Sequence, residues 1–120
     1  MYSSQVLDHF EHPRNAGTVD LPDGVAQVEN PVCGDVLRLT AHISQGRISE
    51  IKFLAKGCVP VMACASALAE FLEGKPISEA LGLKREELVR GLGGLPEASS
   101  HASHLAMDAL AALVKNLQKR

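Results

Sequence analysis

The stretch VLRLTAHISQGRISEIKFLAK, residues 36–56, decides the fold. From Val36 to Ile43 it alternates: Leu37, Leu39, Ala41 and Ile43 face one way and Arg38, Thr40 and His42 the other, the period of a strand with one buried face. Ser44-Gln-Gly-Arg47 reads as a hairpin turn, and Ile48 to Lys56 as the returning strand, with Ile51, Phe53 and Ala55 inward. Two strands joined this tightly pair antiparallel.

Upstream, Val25 to Val28 supplies a third strand, ended by Asn30-Pro31. Before it, Ser3 or Ser4 caps a short helix that Pro13 stops after His12, and a turn-rich loop follows from Arg14 to Gly24. Downstream of the hairpin, VPVMACASALAEFLEG (59–74) is an Ala- and Leu-rich helix ended by Gly74, with Pro76 just beyond. Two shorter helices are expected, one capped by Ser78 and one over Lys84 to Arg90, and then a flexible Gly-rich connection over 91–96. A last helix runs from about Ser100 to Gln118, with serines at 99 and 100 as caps and Leu105, Ala109, Leu113 and Leu117 on one face. The predicted fold class is α+β: a three-stranded antiparallel sheet with helices packed on one face, in a single domain over residues 1–120.

Composition narrows the function. With 46% apolar, 22% charged and only 3% aromatic residues, the core is built from Leu, Val, Ile and Ala. A formal charge of −2 without a Lys/Arg cluster argues against nucleic acid or an anionic membrane as the main partner. No apolar run approaches the ~18 residues of a membrane span, and the first residues lack the basic start and apolar stretch of a secretory signal, so a cytoplasmic protein is expected. Three cysteines, an odd number, do not read as a disulfide framework, which leaves thiols available as ligands or nucleophiles.

The chemistry-bearing residues fall at element ends. Cys33 and Asp35 flank Gly34 in the turn before the hairpin, where both can approach one point. Cys58 opens the long helix, whose N-terminal N–H groups favour the thiolate that binds metal. His101 and His104 lie near the start of the last helix, about 60° apart around its axis. Cys64 is about 240° and ~9 Å from Cys58 along one helix, so the two share neither a disulfide nor a ligand site, and Cys64 reads as core. His104 and Asp108 are placed as a surface pair at i, i+4, and His9, His12 and His42 as exposed or capping residues.

Taken in order, Asp8-His-Phe-Glu-His-Pro-Arg-Asn-Ala-Gly17, Cys33-Gly-Asp35, Gly57-Cys58 before an Ala-rich helix, and LPEASSHASHLAMDA (95–109) resemble the iron-sulfur cluster assembly scaffold family, the IscU-like and NifU N-terminal proteins. The resemblance runs nearly the whole chain. It implies that Cys33, Asp35, Cys58 and His101 bind the metal or cofactor, as iron or a [2Fe–2S] cluster. It also implies that a cysteine desulfurase supplies sulfur and that acceptor apo-proteins receive the cargo. The position of the family's third ligand cysteine is Ala102, which has no donor atom. The segment Leu95-Pro-Glu-Ala-Ser99 departs from the Leu-Pro-Pro-Val-Lys type of sequence that a chaperone recognises in relatives, which makes a chaperone partner doubtful.

The resulting expectation is a scaffold or carrier of iron-sulfur clusters with a divergent ligand set, and not an enzyme. The alternative is a zinc-binding adaptor or regulator of a cysteine desulfurase, because two thiolates, an imidazole and a carboxylate are all ordinary Zn²⁺ ligands. A thiol-dependent transferase using Cys58 with His101 as base ranks below both, since no oxyanion-hole or substrate motif accompanies the pair.

Overall fold

The computed structural model describes residues 2–31 and 33–118. Helix α1 (Ser4–Glu11) leads into strands β1 (Gly24–Asn30), β2 (Asp35–Ser44) and β3 (Arg47–Lys56); helices α2 (Val59–Leu72), α3 (Ile77–Ala80), α4 (Arg85–Gly91) and α5 (Ser100–Gln118) follow. The sheet is antiparallel throughout, in the order β1-β2-β3. At the β2–β3 turn, Gln45 and Gly46 both have positive φ, 54° and 75°, as a hairpin turn matched to the twist of its strands requires.

The register explains which residues face inward. His42 pairs with Glu50 but Ile43 with Ile48, so Ser49 is an extra residue on β3. That bulge puts Ile48 into the core at 1% exposure, although it is out of phase with the buried Ile51 and Phe53. Thr40, expected to face solvent, is buried because the loop after α1 crosses the opposite face of the sheet: Val19 N–H donates to Thr40 Oγ1 at 2.8 Å. The free edge of β3 is covered by two segments. Phe53 exchanges backbone bonds with Asn15 and Gly17, and Ile48 with Gly74 and Lys75.

Helices α2 and α5 pack on one face of the sheet, with α1 and α4 against α2. Helix α2 buries residues on almost every side, among them Val61, Cys64, Leu68 and Leu72, as expected of an apolar helix enclosed by other elements. Along α5, Leu105, Ala109 and Leu113 form the buried face.

Some local details match expectation and others differ. Ser3 caps α1, accepting from the Val6 N–H. Ser78 lies inside α3, where the preceding Pro76 is the cap. Neither Ser99 nor Ser100 caps α5, because a 3₁₀ turn over Glu97–Ser99, begun at Pro96, leads directly into the helix. The connection 91–96 is anchored by Leu92, which is 0% exposed and whose carbonyl accepts from Ser3 Oγ. His9 is buried at 8% exposure, whereas His12 caps the end of α1 and is exposed.

Candidate metal centre

Three element ends meet at one point. The turn between β1 and β2 closes with Gly34 N–H on the Asn30 carbonyl at 2.7 Å and a positive φ at Gly34, which presents Cys33 to solvent and starts β2 at Asp35. Val32 of this turn lies outside the described residues. Where β3 passes into α2, Cys58 is the residue before the first helical turn; it has an extended backbone, and its carbonyl accepts from Met62. His101 approaches from the start of α5.

His101 is the hub of the arrangement. Its Nε2 lies 3.6 Å from Asp35 Oδ2 and 3.9 Å from Cys58 Sγ. Cys33, Asp35 and His101 each bring a ligand atom to within 4.8 Å of one another. The site is open on the thiol side, with Cys33 and Cys58 exposed, and closed at its floor, where Asp35 is 5% exposed. Asp35 Oδ2 is buried with no hydrogen-bond partner among the described residues. A buried carboxylate oxygen without a donor is costly, and a cation beside it removes that cost. Cys58 is not one of the three mutually close donors and adjoins them through His101, so a sulfur, an imidazole nitrogen and this oxygen, with a second sulfur beside the imidazole, are donor types that Zn²⁺ and iron both take.

Gly57 makes the floor possible. A methyl group built there would meet Asp35 Oδ1 at 2.6 Å and Val61 Cβ at 3.3 Å, so the carboxylate lies against bare backbone directly before Cys58. Reading the sequence by residue chemistry passed over this contact, because a glycine carries no ligand atom and its neighbour is remote in the chain.

The other singled-out residues go elsewhere. Cys64 is 0% exposed in the core, and burial, with a smaller contribution from Cys58, pushes its thiol up to about 12. Ala102, also buried, contributes its methyl group to the core cluster. No ion pair joins His104 to Asp108; both line an open groove with Glu29, Pro31 and His101 beside the thiol site. His42 lies 3.5 Å from Asp23. His9 is held by Ser66, its Nδ1 2.8 Å from a hydroxyl oxygen that also accepts the Arg14 N–H at 2.8 Å.

The structure is that of a small α+β protein with a cysteine, histidine and aspartate cluster at the ends of its strands. The chain belongs to the NifU-like N terminal domain family, whose model matches residues 1–120. It is 46% identical over 110 residues to "Iron-sulfur cluster assembly scaffold protein IscU 1" of Archaeoglobus fulgidus, covering 92% of this chain and 72% of that one. It is 37% identical over 123 residues to "Iron-sulfur cluster assembly scaffold protein IscU" of Azotobacter vinelandii, covering 99% and 95%. The crystal structure of a NifU-like N-terminal protein from Brucella abortus superimposes with a TM-score of 0.80 over 98% of this chain and 94% of that one, at 18% identity. That likeness bears on the fold. No helix among the described residues is long and apolar enough to cross a membrane.

Proposed function

We propose that this protein is an iron-sulfur cluster assembly scaffold or carrier that holds iron or a [2Fe–2S] cluster as cargo through Cys33, Asp35, Cys58 and His101. The observation that carries this reading is the buried Asp35 Oδ2, which has no hydrogen-bond donor among the described residues, faces the His101 imidazole and is flanked by exposed thiols. The names of the relatives support the same function. A cysteine desulfurase supplies the sulfur, and acceptor apo-proteins take the cargo.

The donor set suits a carrier. Thiolates hold iron strongly, while a carboxylate and an imidazole are weaker partners for a cluster, so a mixed set favours release over retention. The exposed thiols give a desulfurase or an acceptor direct access to the two sulfurs. Anaerobic reconstitution with ferrous iron, sulfide or a desulfurase with cysteine tests the proposal. Expected are charge-transfer absorption in the visible and iron and sulfide in stoichiometric amounts, and failure to retain either overturns it.

A second reading, a zinc-binding adaptor or regulator of a cysteine desulfurase that carries no cluster, is favoured by one observation. With Ala102 in place of a third cysteine, two cysteines, one histidine and one aspartate remain, the number and types of donor that a four-coordinate zinc takes. One equivalent of zinc that iron and sulfide do not displace selects this reading.

A further inference from the structure

Away from the thiol site, α1, the C-terminal half of α2 and α4 meet around a cavity of about 210 Å³. Ala67, Phe71, Leu83 and Leu88 form its apolar wall, and His9, Glu70 and Glu87 supply the polar groups. The imidazole is nine-tenths buried and incompletely partnered. Ser66 Oγ accepts the Arg14 N–H and hydrogen-bonds His9 Nδ1, each at 2.8 Å, so one ring nitrogen is engaged inside the seam. Nε2 points to Glu70 Oε1 at 3.9 Å, beyond hydrogen-bond reach. Burial, and then Arg14, hold the His9 pKa below its ordinary value, so the ring adds no positive charge to the cavity at neutral pH.

The cavity therefore has two carboxylates and a neutral histidine over an apolar wall. Arg14, whose Nε lies 3.4 Å from Glu70 Oε2, is the cation nearest that carboxylate, and Lys75 stands over the Phe71 ring at 5.5 Å. Glu87 uses one oxygen to accept the Lys84 N–H at 3.2 Å, which leaves the other available. Arg14 already shows how a guanidinium is held here, because it bridges Asp8 at 2.6 Å and Glu70.

We propose that this cavity is a docking site for an arginine side chain of a partner protein, its aliphatic stem on the wall formed by Ala67, Phe71, Leu83 and Leu88 and its guanidinium shared by Glu70 and Glu87. Charge complementarity argues for a cation, and the apolar wall for one on a hydrocarbon stem. Arginine fits better than lysine, since a planar fork can bond two carboxylates at once and stack on an aromatic ring. The site is separate from the thiol pocket and would let a partner hold the scaffold without touching the cargo.

The test is a titration of the ¹⁵N-labelled full chain with acetyl-Leu-Arg-Leu-amide and with its citrulline analogue, which keeps the shape and removes the charge. Saturable shifts at the Ala67, Leu88 and Gly91 amides and in the His9 ring are expected for the arginine peptide, with at least tenfold weaker binding by the citrulline peptide. Glu87→Gln, exposed and still able to accept the Lys84 N–H, is expected to weaken the arginine peptide about tenfold with an unchanged amide spectrum elsewhere. Absence of shifts at these residues, equal binding of the two peptides, or full affinity in Glu87→Gln overturns the proposal.

Discussion

At the N-terminal end of α2, Cys58 is exposed, 3.9 Å from the imidazole of His101. Further along the same helix, Cys64 is 0% exposed, and Ser66 holds His9 in the seam with α1. Similar residue types thus occur twice, in opposite physical states. In the seam the Ser66 hydroxyl joins His9 Nδ1 to the Arg14 backbone, and the Cys64 thiol is kept protonated by burial. At the helix end, thiols are open to solvent and a buried carboxylate oxygen has no hydrogen-bond donor among the described residues. The difference teaches that polar atoms left unsatisfied at a rigid junction, rather than the mere presence of Cys and His, mark where a ligand belongs.

The strongest way to break this comparison is to remove one cysteine from each region. Cys58→Ala or Cys33→Ala is expected to abolish stoichiometric binding of iron or zinc, measured by elemental analysis after desalting. Stability should stay within about 0.5 kcal/mol, since both side chains are exposed. Cys64→Ala should do the reverse, costing about 1 kcal/mol in denaturant unfolding through the void it leaves while metal binding persists. Metal loss in Cys64→Ala, or retention in both exposed-cysteine variants, would erase the distinction. On the histidine side, His9→Ala is expected to cost about 1–3 kcal/mol, because it removes a buried side chain and one of the two hydrogen bonds of the buried Ser66 hydroxyl, and to leave metal content unchanged.

The fold was legible from residues 36–56 because strand alternation, a two-residue turn and the following Ala-rich helix all agree. The candidate donors stood out for a different reason: Cys33, Asp35, Cys58 and His101 all stand at element ends within motifs that resemble a known family. Other features depend on contacts between distant segments. Thr40 is buried by a loop about 20 residues away in the chain, and Ile48 by a one-residue bulge, neither of which local alternation can express. His9 looked exposed because its own helix is short and polar, and only the arrival of α2 encloses it. The α5 cap was misread because a proline-led 3₁₀ turn begins the helix earlier than its serines suggest.

A smaller change sharpens the account of the carboxylate floor. Gly57→Ala would place a methyl group 2.6 Å from Asp35 Oδ1 at a backbone φ of 158°, so the carboxylate must shift from its place beside His101. The expected result is a loss of zinc affinity of about tenfold by chelator competition, the scale of displaced metal-site neighbours, with both thiols still titratable. Unchanged affinity would remove Asp35 from the ligand set and leave its burial without a functional account.

The weakest expected effect concerns pH. Burial, followed by the field of Arg14, lowers the His9 pKa in the folded state from the ordinary 6.5, while the nearby Glu70 and Asp8 only partly oppose this. In the unfolded chain His9 takes up a proton near pH ~6.5, and in the native seam it does so only at lower pH. Between the two values the unfolded state binds more protons, so stability rises with pH across that window and falls as the medium is acidified from neutrality toward the folded pKa. His9→Gln can still accept from Ser66 but does not titrate. It is expected to flatten this part of the stability profile, measured by urea unfolding between pH 5 and 7.5, without altering the pH dependence of metal binding. A profile as steep as the wild type's would show that the acid sensitivity of the fold comes from other groups.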